Sequence, residues 1–299
     1  MEWNLRVGGF LPRAPRLLRY LAATVALLGA SAGVASGAVV RDRTLLQSMA
    51  GVTRVSHFAH SAPKGNRRPR QGTRSGETKI PAIVQPSATE HLTLLKVGDS
   101  LGEELGFGLR DVLGSNRNLT VIQDAVGDTG LARPDYYNWP LQLQHELVTY
   151  RPRGVIVMLG GDDGQGFSYQ GKTVIFGSAS WHTIYSQRVA TMMSEATAAG
   201  AHVIWVGLPI MRSGLFSSEM AQMNAIYSAQ AAIHPGVTFV PTWSLFANST
   251  GNYSAYLPGP SGSLVLMRNP DGVHFSGAGA DRLGVAVVHA MNTAWKVHL

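Results

Sequence analysis

The chain has 299 residues, 45% apolar and 14% charged, enough to bury a sizeable core and too apolar to be disordered throughout. It has no cysteine, which excludes a disulfide scaffold, a thiolate metal centre, an iron–sulfur cluster and a cysteine nucleophile. The net charge of +7 is unevenly placed: residues 1–79 hold 13 of the 25 Lys and Arg but three of the 18 Asp and Glu, leaving a mildly acidic remainder, which argues against a nucleic-acid partner.

Arg6, Arg13, Arg16 and Arg19 precede an uncharged stretch from Tyr20 to Val40. As a helix, its 20 residues from Leu21 would span about 30 Å, one bilayer core. Residues 1–40 therefore read as a membrane-targeting segment whose positive flank stays cytoplasmic and sends the rest outward. Two readings stand. Ala30-Ser31-Ala32 suits a signal-peptide cleavage site. Retained instead, the segment would anchor the protein in the cytoplasmic membrane, with Gly29, Gly33 and Gly37 on one face. Residues 41–90 read as a basic flexible linker, because Ser61 to Gly76 is rich in Pro, Gly, Ser and Arg without apolar periodicity.

From residue 91 to 299 short apolar runs alternate with helical stretches. Strands are predicted at 92–97, 119–126, 154–159, 202–207 and 237–240, and helices at 101–113, 140–150, 181–199, 218–233 and 278–297. Pro140 opens the second helix, Gly200 ends the third and Ser276 caps the last. The run Gly154-Val155-Ile156-Val157-Met158-Leu159 is apolar throughout, as a strand covered on both faces requires. Strand–helix alternation with right-handed crossovers gives a three-layer α/β/α sandwich around a five-stranded parallel sheet. In such sheets reactive groups gather at the carboxyl ends of the strands.

Two clusters fall there. Gly98-Asp99-Ser100 follows the first strand, which would expose a serine hydroxyl at a helix N-terminus, although a helix-capping serine looks the same in sequence. Asp271-Gly272-Val273-His274 precedes the last helix, a spacing that lets a carboxylate orient an imidazole whose other nitrogen reaches a serine. His182, His202, His234 and His289 lack ligand spacing, so no metal or other cofactor is expected.

These motifs, with the glycine after the second strand, the turn Gly160-Gly161-Asp162-Asp163 after the third, and the segments 129–140 and 205–209, make residues 92–298 resemble the SGNH/GDSL hydrolases. The likeness is to a bacterial extracytoplasmic branch of acyl esterases and polysaccharide O-acyltransferases. The resemblance implies a flavodoxin-like SGNH fold, with Ser100 as nucleophile, His274 as base and Asp271 as its orienter. It also implies an oxyanion hole made by the backbone N–H groups of Ser100 and Gly130 and by the position of Asp162. That family has asparagine where this chain has Asp162, and an ionised carboxylate would repel the developing charge. Asp162 would then be protonated beside Asp163, turned away, or the mark of a protein kept for binding.

The loop 133–139 is expected beside the nucleophile. There Arg133 would clamp a carboxylate or carbonyl, and Tyr136, Tyr137 and Trp139 would stack on a sugar or merely pack the next helix. Gln165, Ser168, Tyr169 and Trp181 are further candidates for the cleft. The expected substrate is an acylated carbohydrate or small ester on the periplasmic or extracellular side of the cytoplasmic membrane. An envelope polysaccharide-modifying or export complex is the expected larger partner.

Overall fold

The computed structural model describes residues 80–299; the segment expected to target the membrane and most of the expected linker lie outside the described residues. Among the described residues, no helix is long and apolar enough to cross a membrane.

Five parallel strands form the central sheet: β1 (Leu92–Gly98), β2 (Leu119–Ala125), β3 (Gly154–Met158), β6 (His202–Val206) and β7 (Val237–Val240). Their order across the sheet is β2-β1-β3-β6-β7, which reverses direction beside β1. The helices α1 (Ser100–Leu113), α2 (Trp139–Tyr150), α3 (Ala179–Ala198) and α4 (Gly214–Ile233) make the crossovers, and with α5 (Gly277–Trp295) they cover the sheet. The predicted three-layer architecture and all five predicted strands are present. Helix α4 begins a turn earlier than its apolar pattern suggests, because the Ser213 hydroxyl accepts the Phe216 N–H and caps it.

Strand β3 is buried along its whole length, as its unbroken apolarity predicts. Helices α1 and α5 cross close enough for backbone contact. A Cβ on Gly108 would strike the Ala280 carbonyl, and one on Gly284 would meet the backbone of Gly108. Those glycines let the first and last helices close over one face of the sheet and bring their N-terminal ends together.

Two hairpins escape the sequence pattern. β4 (Phe167–Tyr169) pairs with β5 (Lys172–Val174), and β8 (Tyr256–Pro258) with β9 (Leu264–Leu266), both antiparallel. Both lie in connections that leave the carboxyl ends of central strands, after β3 and after β7.

Residues 80–90, expected within the linker, have neither helix nor strand but lie against the domain. Ile83 is buried in the core, Arg153 donates to the Pro81 and Ala82 carbonyls, and Gln85 exchanges two hydrogen bonds with His298.

Candidate active site

Ser100 is the first residue of α1, directly beyond the carboxyl end of β1. The helix is capped by Asp99, whose Oδ1 accepts the N–H groups of Leu101 (2.9 Å) and Gly102 (3.3 Å). The capping work therefore falls on the aspartate and leaves the Ser100 hydroxyl available. Its Oγ–H donates to His274 Nε2 at 2.9 Å, and the opposite nitrogen, Nδ1–H, donates to Asp271 Oδ2 at 2.6 Å. That tautomer follows because a carboxylate can only accept.

Asp271 is oriented by its own turn: its Oδ1 accepts the N–H of Val273 (2.8 Å) and of His274 (3.0 Å). Burial alone would raise the Asp271 carboxyl, but these amides and the imidazole outweigh it and hold the group below the ordinary carboxylate range. Gly272 has φ +78°, a left-handed conformation that glycine adopts without strain, and the Arg212 side chain occupies the space a Cβ would need.

Beneath this turn lies Arg268, fully buried, which sequence reasoning missed. It donates to the carbonyls of Ile210 (2.6 Å) and Val273 (2.5 Å) within a ring formed by Phe246, Tyr253 and Phe275. Burial pushes its guanidinium down to about 10. Arg268 thus ties the turn carrying Asp271 and His274 to the loop after β6.

The turn after β3 is held to the Ser100 turn by the same Asp99, whose Oδ2 accepts the N–H of Gly160 (2.8 Å) and Gly161 (2.7 Å). Burial and the charge of Asp162 push the Asp99 carboxyl up to about 7, opposed by the amides it accepts. Asp162 itself is half-buried, and Gln165 folds back to donate to its carbonyl at 2.6 Å. Asp163, beside which Asp162 would be protonated in one of the three expected outcomes, is committed to other donors, and the charge of Asp162 acts on Asp99.

Asp163 is fully buried and accepts the N–H groups of Leu131 (2.8 Å) and Ala132 (2.7 Å) and the hydroxyl of Tyr185 (2.7 Å). Arg188 donates to the carbonyls of the same two residues, at 2.8 and 3.0 Å. Burial raises the Asp163 carboxyl, with these donors pulling against it. The loop after β2 is therefore gripped through both its amides and its carbonyls. Gly130 is buried against the Asp163 carboxylate with no room for a side chain. Gly127 is the exposed glycine beside Ser100, where a Cβ would lie 4.0 Å from that of the serine.

The substrate-binding expectations fare unevenly. Trp139 is fully buried and donates its indole N–H to Thr129 at 3.0 Å, so it buttresses the loop instead of stacking on a substrate. Trp181 is likewise buried, stacked on Tyr185. Arg133 is exposed but already engaged in a two-pronged ion pair with Asp135, which leaves less of its guanidinium for a ligand. Tyr136 is exposed at the surface, and Tyr169 stands partly exposed on β4. Among the described residues, no three His, Asp or Glu cluster as metal ligands.

The family described as "Protein of unknown function (DUF459)" matches residues 93–290. Among curated proteins none matches. Similar solved structures include TesA, at 24% identity, covering 68% of this chain and 99% of that one with a TM-score of 0.46. A GDSL-like lipase from Bacteroides thetaiotaomicron VPI-5482 is 16% identical over 71% of this chain and 93% of its own, with a TM-score of 0.47. A catalytic mutant of Axe2, an acetylxylan esterase from Geobacillus stearothermophilus, is 13% identical over 72% and 97%, with a TM-score of 0.48. The family match spans more than half of the chain, and with the five-stranded parallel fold and the Ser, Asp, His order that the SGNH/GDSL resemblance implied, the chain belongs to the DUF459 family.

Proposed function

We propose that this protein is a serine-dependent acyl-ester enzyme that forms an acyl-enzyme on Ser100. The observation that carries this reading is the continuous line of hydrogen bonds from Ser100 Oγ through His274 to Asp271. In the first half-reaction the Ser100 oxygen attacks the ester carbonyl and its proton passes to His274 Nε2. The resulting imidazolium is stabilised by Asp271, which stays ionised, and returns the proton to the departing alcohol. In the second half-reaction His274 takes a proton from the acceptor hydroxyl as its oxygen attacks the acyl carbon; the bond to Ser100 Oγ then breaks and the imidazolium returns that proton to Oγ. Backbone N–H groups at the N-terminus of α1 and in the Gly127–Gly130 loop would face the oxyanion.

The acceptor decides the outcome: water gives an esterase, and a sugar hydroxyl gives an O-acyltransferase. The substrate we favour is a small acyl group on a cell-envelope or exported polysaccharide, handled on the outer side of the cytoplasmic membrane. The targeting pattern in residues 1–40 and the exposed ring of Tyr136 on the loop after β2 support that choice.

The test is turnover of p-nitrophenyl acetate together with labelling by a serine-directed phosphonate. Both are expected for the natural chain and abolished in Ser100→Ala, with His274→Ala lower by about 1000-fold or more. Absence of both turnover and labelling across roughly pH 5 to 9 rejects the enzyme. Asp162 supports a second reading in that event: with a carboxylate where the resemblance leads one to expect an amide donor, the fold would serve as a carbohydrate-binding or assembly protein.

A further inference from the structure

Helix α1 carries Glu104 four residues after Ser100, so the two side chains share one face of the helix, a single turn apart. Glu104 Oε2 accepts the backbone N–H of Phe275 at 2.8 Å, and Phe275 immediately follows His274. The turn bearing the imidazole is therefore fastened to α1 at two points, by His274 to Ser100 and by Phe275 to Glu104. One contact alone would leave the turn free to pivot about the serine. Two contacts about 6 Å apart along the helix fix its tilt as well as its distance.

We propose that Glu104 is a positioning residue of this site, which locks the His274 turn to helix α1 through the Phe275 amide. The inference rests on the acyl-enzyme reading in treating the Ser100–His274 contact as the reacting pair. The surroundings suit the role. Glu104 is half-buried, facing His274 and Asp271 from the turn and Arg268 from the segment after β9. Asp281 on α5 and Asp111 on α1 share with it a cleft of about 180 Å³. Burial pushes the Glu104 carboxyl up to about 7, while the Phe275 amide and the charges of His274 and Arg268 oppose that rise.

Two conservative variants separate reach from charge. Glu104→Gln keeps an acceptor at the same distance and removes the charge; Glu104→Asp keeps the charge and falls short of the Phe275 amide. Phosphonate labelling of Ser100 is expected to slow in Glu104→Asp by on the order of 10- to 100-fold, the scale of a small misplacement. In Glu104→Gln it should stay within about 3-fold of the natural chain, one neutral hydrogen bond replacing a charged one. The second readout is hydrogen exchange of the Phe275 amide followed by NMR, which reports the bond to Glu104 directly. In Glu104→Asp that amide should exchange faster by about 10-fold or more, and kcat for p-nitrophenyl acetate should fall with KM within about 3-fold, while Glu104→Gln keeps both near those of the natural chain. Wild-type labelling rates in Glu104→Asp, equal slowing of both variants, or unchanged exchange of the Phe275 amide in Glu104→Asp would overturn the proposal. If the natural chain is not labelled at all, the acyl-enzyme reading falls, and the exchange comparison then decides the role of Glu104 by itself.

Discussion

The Asp99 carboxylate accepts the amide of Gly161 at 2.7 Å with one oxygen and that of Leu101 at 2.9 Å with the other. One buried side chain thus joins the start of α1 to the turn after β3, across the carboxyl edge of two neighbouring strands. The position of Ser100 relative to Asp162 is set by this bridge, since the serine follows Asp99 directly and Asp162 follows Gly161. Motifs 61 residues apart in the chain become one rigid edge of the site.

Asparagine at position 99 would break that edge from one side. Its oxygen can still cap α1, but its amide would face the N–H groups of Gly160 and Gly161, donor against donor. Two buried donors left unsatisfied cost about 1–3 kcal/mol each. We expect Asp99→Asn to lower the urea midpoint by the equivalent of about 2–5 kcal/mol and to slow labelling of Ser100. A midpoint equal to that of the natural chain would show that the four hydrogen bonds to Asp99 contribute little.

The same reasoning applies to Asp163 and the loop after β2. Asp163→Asn keeps the volume but sets a donor against one of the two amides, Leu131 or Ala132, each of which bonds its own carboxylate oxygen. With Arg188 still holding the carbonyls, the loop should loosen without leaving. We expect kcat for p-nitrophenyl acetate to drop about 10-fold or more, as misplaced transition-state donors do, and limited proteolysis to open near residues 129–133. Unchanged kcat would detach this loop from the reaction.

The architecture was legible because strand–helix alternation is a local pattern, and the unbroken apolar run of β3 alone implies cover on both faces. Ser100 and the Asp271–His274 pair were legible for the same reason, each motif lying within a few residues of chain. What holds them was not. Asp163 grips Ala132, 31 residues away, and Arg268 grips Ile210, 58 residues away, and no local spacing encodes either contact. The hairpins β4–β5 and β8–β9 have three-residue strands, too short to show a period. Trp139 misled for a different reason: an aromatic residue just before a helix-opening proline reads equally as a ligand platform or as a buried buttress, and only burial separates the two.

Buried ionisable groups give the fold a pH signature. Glu146 is pushed up to about 8 by burial and by Asp124, and Asp99 and Glu104 up to about 7. Each keeps its proton when folded at pH values where the unfolded chain has lost it. Their contribution is therefore fully present below about pH 4 and declines as pH rises through 7 to 8. Lys96, pushed down to about 8 from 10.5 by burial, acts oppositely: the unfolded chain binds the extra proton between those values, so stability recovers above pH 8. A stability minimum near pH 8 follows. Glu146→Gln should flatten the falling limb and raise Tm at pH 8 by about 2–4 °C, as followed by thermal denaturation across the pH range. A steepened limb, or a lower Tm, would mean that the Glu146 charge is stabilising beside Lys96.

On the proposed acyl-enzyme route, Asp162 would set how strongly the site works. It stands where the resemblance leads one to expect a side-chain donor, and its charge is felt by the buried Asp99 next to Ser100. An ionised carboxylate turned toward the substrate oxygen would oppose a second anion forming there, whereas an amide would donate to it. Asp162→Asn removes the repulsion at both places at once: it supplies an N–H to the oxyanion and lets the Asp99 carboxyl fall toward its ordinary value. Restoring one oxyanion donor is worth about 100- to 1000-fold in rate, so we expect kcat/KM for p-nitrophenyl acetate to rise by at least the lower figure, with little change in the urea midpoint. If Asp162 instead acts as a protonated donor, the natural chain loses activity as pH rises and the variant gains nothing at low pH. Steady-state rates of both proteins between roughly pH 5 and 9, spanning the ordinary range of histidine titration, distinguish the two. A variant no faster than the natural chain at any pH would remove Asp162 from the account of the oxyanion.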